Sequence, residues 1–159
     1  MGFQKAATVK QKTGITIDTV KLPGAFVKID GNVLSICSHP TNCHTLYMYC
    51  LPYQTYCVKD TMIKLVRKVL QVALVDEFAH VQVCLTNEQV NSKTGEVLRE
   101  CGFKQLGEPY FNHRYEKLQE RNSYIKANRN DPNDKHWITT WIANVFKVCP
   151  QLDITEDKV

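Results

Sequence analysis

Leu46-Tyr47-Met48-Tyr49-Cys50-Leu51-Pro52, the segment from Lys59 to about Glu77, and the run Val81, Val83, Leu85 decide the fold when they are read together. The first is rich in residues that suit a pleated surface and ends at a proline that removes a ladder donor, so it predicts a strand. In the second, Met62, Val66, Val69, Leu70, Ala73 and Leu74 recur at helical spacing opposite Lys64, Arg67, Lys68 and Gln71, which predicts a long amphipathic helix. The third has period two and predicts a partly buried strand. A strand, a crossover helix and a strand set up a parallel pair.

Upstream of this unit, Ala25 to Ile29 and Val33 to Cys37 flank Asp30-Gly31-Asn32, the signature of a hairpin. Ile15 to Val20 alternates and predicts an edge strand before Pro23-Gly24. Downstream, Asn91 to Glu100 predicts a second helix, capped by Asn91 or Ser92 and ended by Cys101-Gly102. Phe103 to Leu106 and Tyr110 to Tyr115 predict two closing strands joined at Gly107-Glu108-Pro109. The polar stretch from Glu116 to Arg129 reads as helical in part, and His136 to Val148 as another amphipathic helix. The last ten residues are expected to fray.

A length of 159 residues suits one ordinary domain, and 43% hydrophobic with 23% charged residues excludes wholesale disorder and fibrous architectures. The longest apolar stretch, Val69 to Val75, is far short of the ~20 residues that cross a bilayer, so no membrane partner is expected. The opening Met1-Gly2-Phe3-Gln4-Lys5-Ala6 carries no readable export signal or acylation motif. Seven cysteines, an odd count, read as reduced thiols in a cytoplasm. The formal charge of +4 is spread along the chain. It leaves nucleic acid as a third possibility, through Lys64, Arg67, Lys68, Arg114 and Lys117.

The order hairpin, strand, long helix, strand, short helix, strand, strand resembles the acyl-CoA-dependent GNAT acetyltransferase superfamily over residues 25 to 117. Two stretches carry the likeness. Leu51-Pro52-Tyr53-Gln54-Thr55-Tyr56-Cys57-Val58-Lys59-Asp60-Thr61-Met62 stands where that family has a strand, a glycine-bearing loop and a helix. Asn91 to Phe103 is similar to the later pattern of Asn, helix and Gly-Phe, kept here as Asn91, Gly102 and Phe103. The resemblance implies an α/β (mixed α+β) fold with a curved, mostly antiparallel sheet that contains a parallel pair and is flanked by helices. It divides the chain into an arm or edge strand (1–24), a GNAT-like core (25–117) and a helical C-terminal extension (118–159). Twenty-four leading residues hold a strand but not the family's two helices.

If acetyl-CoA binds, the resemblance implies Gln54, Cys57, Val58, Lys59, Asp60, Thr61 and Asn91 as its contacts. The loop departs from the family, because Cys57 and Lys59 stand at the glycine places and Asp60 follows at once. The family's frequent proton donor, a Tyr, corresponds to Leu98, which leaves Tyr110 or Tyr115 for that role. These departures imply that no cofactor is bound and that the scaffold is non-catalytic, a binding or structural protein of the kind carried by tailed bacteriophages, in host cytoplasm or virion. The alternative is an active N-acetyltransferase.

The other features are weaker. Cys37, His39, Cys43 and His44 are four soft-metal ligands in eight residues, but adjacent Cys43 and His44 tend to diverge, so no metal is expected. A Cys101–His113 nucleophilic pair has no local signature. His80 and His136 read as surface or capping residues. Trp137, Ile138, Trp141, Ile142, Val145 and Phe146 lie on one side of the expected C-terminal helix. They either fold back on the domain or serve as anchors for a protein partner or for self-association.

Overall fold

The computed structural model describes residues 8–10, 16–18, 25–29, 31–39, 41–49, 58–112, 129–134 and 136–156. Gln54, Cys57, His113, Arg114, Tyr115 and Lys117 lie outside these residues. Among the described residues a two-stranded sheet joins β1 (Thr8–Lys10) to β2 (Thr16–Asp18). A six-stranded sheet has the order β3-β4-β5-β6-β8-β7. Its strands are β3 (Ala25–Ile29), β4 (Asn32–Ser38), β5 (Thr45–Met48), β6 (His80–Thr86), β7 (Lys104–Phe111) and β8 (Trp137–Asn144).

β3 and β4 pair antiparallel around Gly31, whose φ of 81° lies in the left-handed region that the predicted turn demands. β5 and β6 run parallel through three residue pairs, Thr45↔His80 to Tyr47↔Gln82, with α1 (Lys59–Val75) as the crossover between them. The other neighbouring strands pair antiparallel.

One face of the sheet carries Leu34, Ile36, Leu46, Val81, Val83 and Leu85, all at most 1% exposed. α1 covers it with Leu65, Val69, Leu70 and Val72, which are fully buried. α3 (Lys93–Glu100) adds Val97 and Leu98, and α4 (Val145–Gln151) adds Val148 and Cys149. Arg67 Nη2 donates to the Leu152 carbonyl at 2.7 Å and Gln71 Nε2 to that of Thr155 at 2.9 Å, fixing the C-terminal segment to α1. Among the described residues no helix is long and apolar enough to cross a membrane.

Three expectations are corrected. Residues 137 to 144 form a strand, not a helix, lying between β6 and β7 in the sheet. Inward-facing Thr139, Trp141, Ala143 and Val145 alternate with period two, and two of them are a polar and a small residue that a count of large apolar side chains passes over. Thr139 is buried because its hydroxyl donates to the Leu85 carbonyl at 3.2 Å and accepts from Trp141 Nε1 at 3.0 Å. Only the final turns, α4, are helical.

Secondly, Gly107-Glu108-Pro109 does not join two strands. It is an irregularity inside β7, where four steps from Leu106 to Tyr110 face two steps on β8, from Thr140 to Ile138. Gly107, with a φ of 74°, and Pro109, which has no N–H to donate, suit such a break on an edge strand. Thirdly, His136 is 1% exposed, stacked on Phe111 at 5.6 Å and bonded to Asp134 rather than on the surface.

Candidate active site

The head of α1 is built from a helix start without a side-chain cap. Val58 is extended at the N-cap position, and its carbonyl accepts the first intrahelical bond from the Met62 amide at 3.1 Å. The amides of Lys59, Asp60 and Thr61 precede that bond, and Val58 has no side chain that caps them. Thr61 and Met62 turn inward. Val58 and Asp60 are exposed.

Lys59 Nζ lies 2.7 Å from Glu100 Oε1 at the far end of α3. Its pKa is raised by that bond first, and Glu96 and Asp60 act on it in the same direction. The head of the helix is thus a cluster of one ammonium and three carboxylates. Asp60 in the first turn is favourable to the helix itself, because the N-terminal end of the dipole is positive.

Between β6 and α3 lies a short turn that sequence reasoning passed over, α2 (Asn87–Val90). Its signal is legible in Thr86 and Gln89, a capping box in which the Gln89 amide donates to Thr86 Oγ1 and the Thr86 amide to Gln89 Oε1. Asn91, one of the expected cofactor contacts, closes α2, with its Nδ2 donating to the Asn87 carbonyl at 3.0 Å. Ser92 is the residue that caps α3.

Leu98 is 2% exposed. Around it Met62, Val66, Met48, Val83, Thr94 and Val97 leave a cavity of about 20 Å³, room for about one water.

On the opposite face of the sheet a row of hydroxyls and thiols crosses the strands. Cys37 Sγ lies 3.3 Å from the Tyr49 hydroxyl, and Tyr49 meets Tyr47 edge to face at 5.2 Å. Cys84 Sγ lies 3.8 Å from the Tyr110 hydroxyl and 3.9 Å from Thr140 Oγ1. Burial pushes all three tyrosines up, with Cys84 adding to the effect at Tyr47 and Tyr110 and Cys37 at Tyr49. No carboxylate or imidazole of the described residues hydrogen-bonds into this row. Cys37, Tyr47, Tyr49 and Tyr110 therefore hold their protons at neutral pH.

For Tyr110 the ordinary value near 10 rises to about 12. The unfolded chain gives up this proton near pH 10, so the stability present below that pH is lost as pH climbs toward 12. Tyr110→Phe is expected to make urea stability fall less steeply between about pH 9.5 and 11. Identical slopes in the two proteins would place the hydroxyl in water instead.

The metal candidates are not brought together. Cys37 is buried against Tyr49, Cys43 is exposed, and His39 Nδ1 accepts from the Thr41 amide at 3.2 Å. Among the described residues no group of three or more His, Cys, Asp or Glu side chains is placed to hold an ion. Cys101 is 1% exposed, and burial pushes its thiol up to about 11 despite Arg67, so it stays protonated. Of the six expected partner anchors, Trp141 and Val145 are buried, Trp137, Ile138 and Ile142 are half-buried in β8, and Phe146 is 56% exposed.

No family model matches the sequence, and no curated protein matches it. Solved structures do. A chimera of Vibrio cholerae spermidine N-acetyltransferase SpeG with human SSAT has a TM-score of 0.51 at 11% identity, covering 84% of this chain and 66% of that one. The fold is GNAT-like. A Bacillus subtilis acetyltransferase in complex with CoA has a TM-score of 0.44 at 8% identity, covering 76% of this chain and 74% of that one. Mycobacterium smegmatis RimJ in complex with CoA-disulfide has a TM-score of 0.48 at 10% identity, covering 82% and 59%. This chain spans less than two thirds of the length of the spermidine N-acetyltransferase chimera and of RimJ.

Proposed function

We propose that this chain is a non-catalytic binding protein on an acetyltransferase-like scaffold. In keeping with the resemblance, its setting is a bacteriophage particle or an infected cell, and it acts through contacts with protein. The observation that supports this reading most is the charge at the head of α1. A CoA pyrophosphate bound at that helix start meets Asp60, Glu96 and Glu100, with Lys59 already engaged by Glu100. Each carboxylate facing such an anion costs on the order of 1 kcal/mol. The group does not fit this set of side chains.

Proton transfer points the same way. Leu98, at the position of the family's donor, is an apolar side chain in a packed core. Tyr110, with a pKa near 12, is a weak acid toward a departing thiolate whose own pKa is about 8.5.

A second reading, an acetyl-CoA-dependent N-acetyltransferase, is favoured by one observation: the uncapped amides of Lys59, Asp60 and Thr61 are donors of the kind that hold phosphate. In that reading these amides hold the cofactor, which supplies the acyl group. Tyr110 carries the proton.

Thermal denaturation with acetyl-CoA at about 1 mM separates the two. The first reading expects no change in midpoint. A site of about 10 μM affinity gives about 2.7 kcal/mol of stabilisation, roughly 5–10 °C for a chain of this size, and that result overturns it.

A further inference from the structure

We infer that the groove between the middle of α1 and the C-terminal segment is a binding site for phosphate groups. The groove has a volume of about 230 Å³ and is lined by Lys64, Arg67, Lys68, Gln71, Asp153 and Thr155, with Ile29 and Ile154 as apolar lining. Lys64, Arg67, Lys68 and Gln71 are spaced i, i+3, i+4 and i+7, so they share one face of the helix.

Two of the four are fixed. Arg67 is half-buried and held by the Leu152 carbonyl, which engages one of its five N–H donors. Gln71 is 6% exposed and bridges the wall, donating to the Thr155 carbonyl and accepting from Lys68 Nζ at 3.5 Å. Lys64 is exposed and has no ion-pair partner among the described residues. A guanidinium held by the Leu152 carbonyl thus lines the groove together with two lysines.

The opposing charge in the lining is the carboxylate of Asp153, held at a φ of 55°. Three cations against one anion leave two positive charges in excess, which matches a phosphate dianion better than a single carboxylate. Guanidinium geometry also suits phosphate oxygens. The chain's basic balance, a formal charge of +4, favours the approach of such a ligand. The phosphate can belong to a small phosphate ester or to a nucleic-acid backbone, and both present the same chemistry to this face.

Calorimetric titration with inorganic pyrophosphate at about 50 mM salt tests the site. Binding is expected in the wild-type chain, about fivefold weaker in Lys64→Ala and in Lys68→Ala. It should be about fivefold tighter in Asp153→Asn, because Asn tolerates the left-handed backbone at that position. Thermal midpoints of the lysine variants should stay at the wild-type value. Titration with a twelve-nucleotide thymidine strand then distinguishes the sources.

With a nucleic-acid source the strand binds, pyrophosphate displaces it, and the log–log salt slope is about −2, shallower by about 0.7 for each lysine removed. With a small phosphate ester, pyrophosphate binds and the strand does not. The proposal fails if neither ligand binds at about 1 mM, if both lysine variants bind like wild type, or if an oligoglutamate peptide competes as well as pyrophosphate.

Discussion

A chain ending at residue 130 is expected to have no cooperative fold. β8 pairs with β6 through seven consecutive residue pairs, from His80↔Asn144 to Thr86↔Ile138, and with β7 on its other side. Without it β7 loses its only partner strand among the described residues, and β6 loses the neighbour that runs its full length. The same cut removes Trp141, Val145, Val148 and Ile154 from the core, each between 0 and 7% exposed. At about 1.5–3 kcal/mol per large buried side chain, these four alone rival the total of about 5–15 kcal/mol that holds a domain together. The carbonyls of Leu152 and Thr155 that tie down Arg67 and Gln71 go with it. Far-UV circular dichroism and a urea titration of the truncated chain check the outcome. A sigmoidal transition with native-like ellipticity would return residues 131 to 159 to the status of a detachable extension.

That expectation reverses what the sequence suggests about this region, and the reason is physical. Trp137, Ile138, Trp141, Ile142, Val145 and Phe146 fall at i, i+1, i+4, i+5, i+8 and i+9, so an apolar count sees a helix face. The strand is written in other residues: Thr139 and Ala143 complete the buried period-two set, and Ile138, Thr139, Thr140 and Ile142 are β-branched. A buried threonine looks like a surface residue until the Leu85 carbonyl that satisfies it is in view.

The elements held together by short-range pattern were legible. The β3–β4 hairpin is set by Asp30-Gly31-Asn32, and the α1 crossover between the parallel strands follows from one long amphipathic run. At the candidate site the sequence pointed to Lys59, Asp60 and Leu98, and the structure places the first two at the head of α1 and Leu98 in the core. Glu100 and Glu96 were out of its reach. They meet Lys59 only because the end of α3 packs beside the head of α1, a tertiary approach with no local trace.

Gly95→Ala is expected to destabilise the fold by about 3 kcal/mol, although in an isolated helix the same change gains up to about 1 kcal/mol. Gly95 is buried in the first turn of α3, where a Cβ would sit 1.9 Å from the Val90 carbonyl oxygen, 2.6 Å from its carbon and 3.0 Å from its Cα. All three are backbone atoms, so no side-chain rotation relieves the overlap. The Val90 carbonyl is also held by Arg99 Nη2 at 3.0 Å, while the Thr86–Gln89 capping box and Ser92 fix α2 against the start of α3. Relief therefore requires α3 to move as a body, which drags Val97 and Leu98 out of register with Met62 and Val66, where the cavity between them holds only about 20 Å³. The comparison that isolates this effect is Gly107→Ala. Gly107 has a φ of 74° with nothing within 4 Å of an added Cβ, so that change costs only backbone strain, about 1 kcal/mol. Urea midpoints of the two variants should therefore separate clearly, with Gly95→Ala the lower. Equal midpoints, or a gain for Gly95→Ala, would mean that α2 and α3 do not meet backbone to backbone.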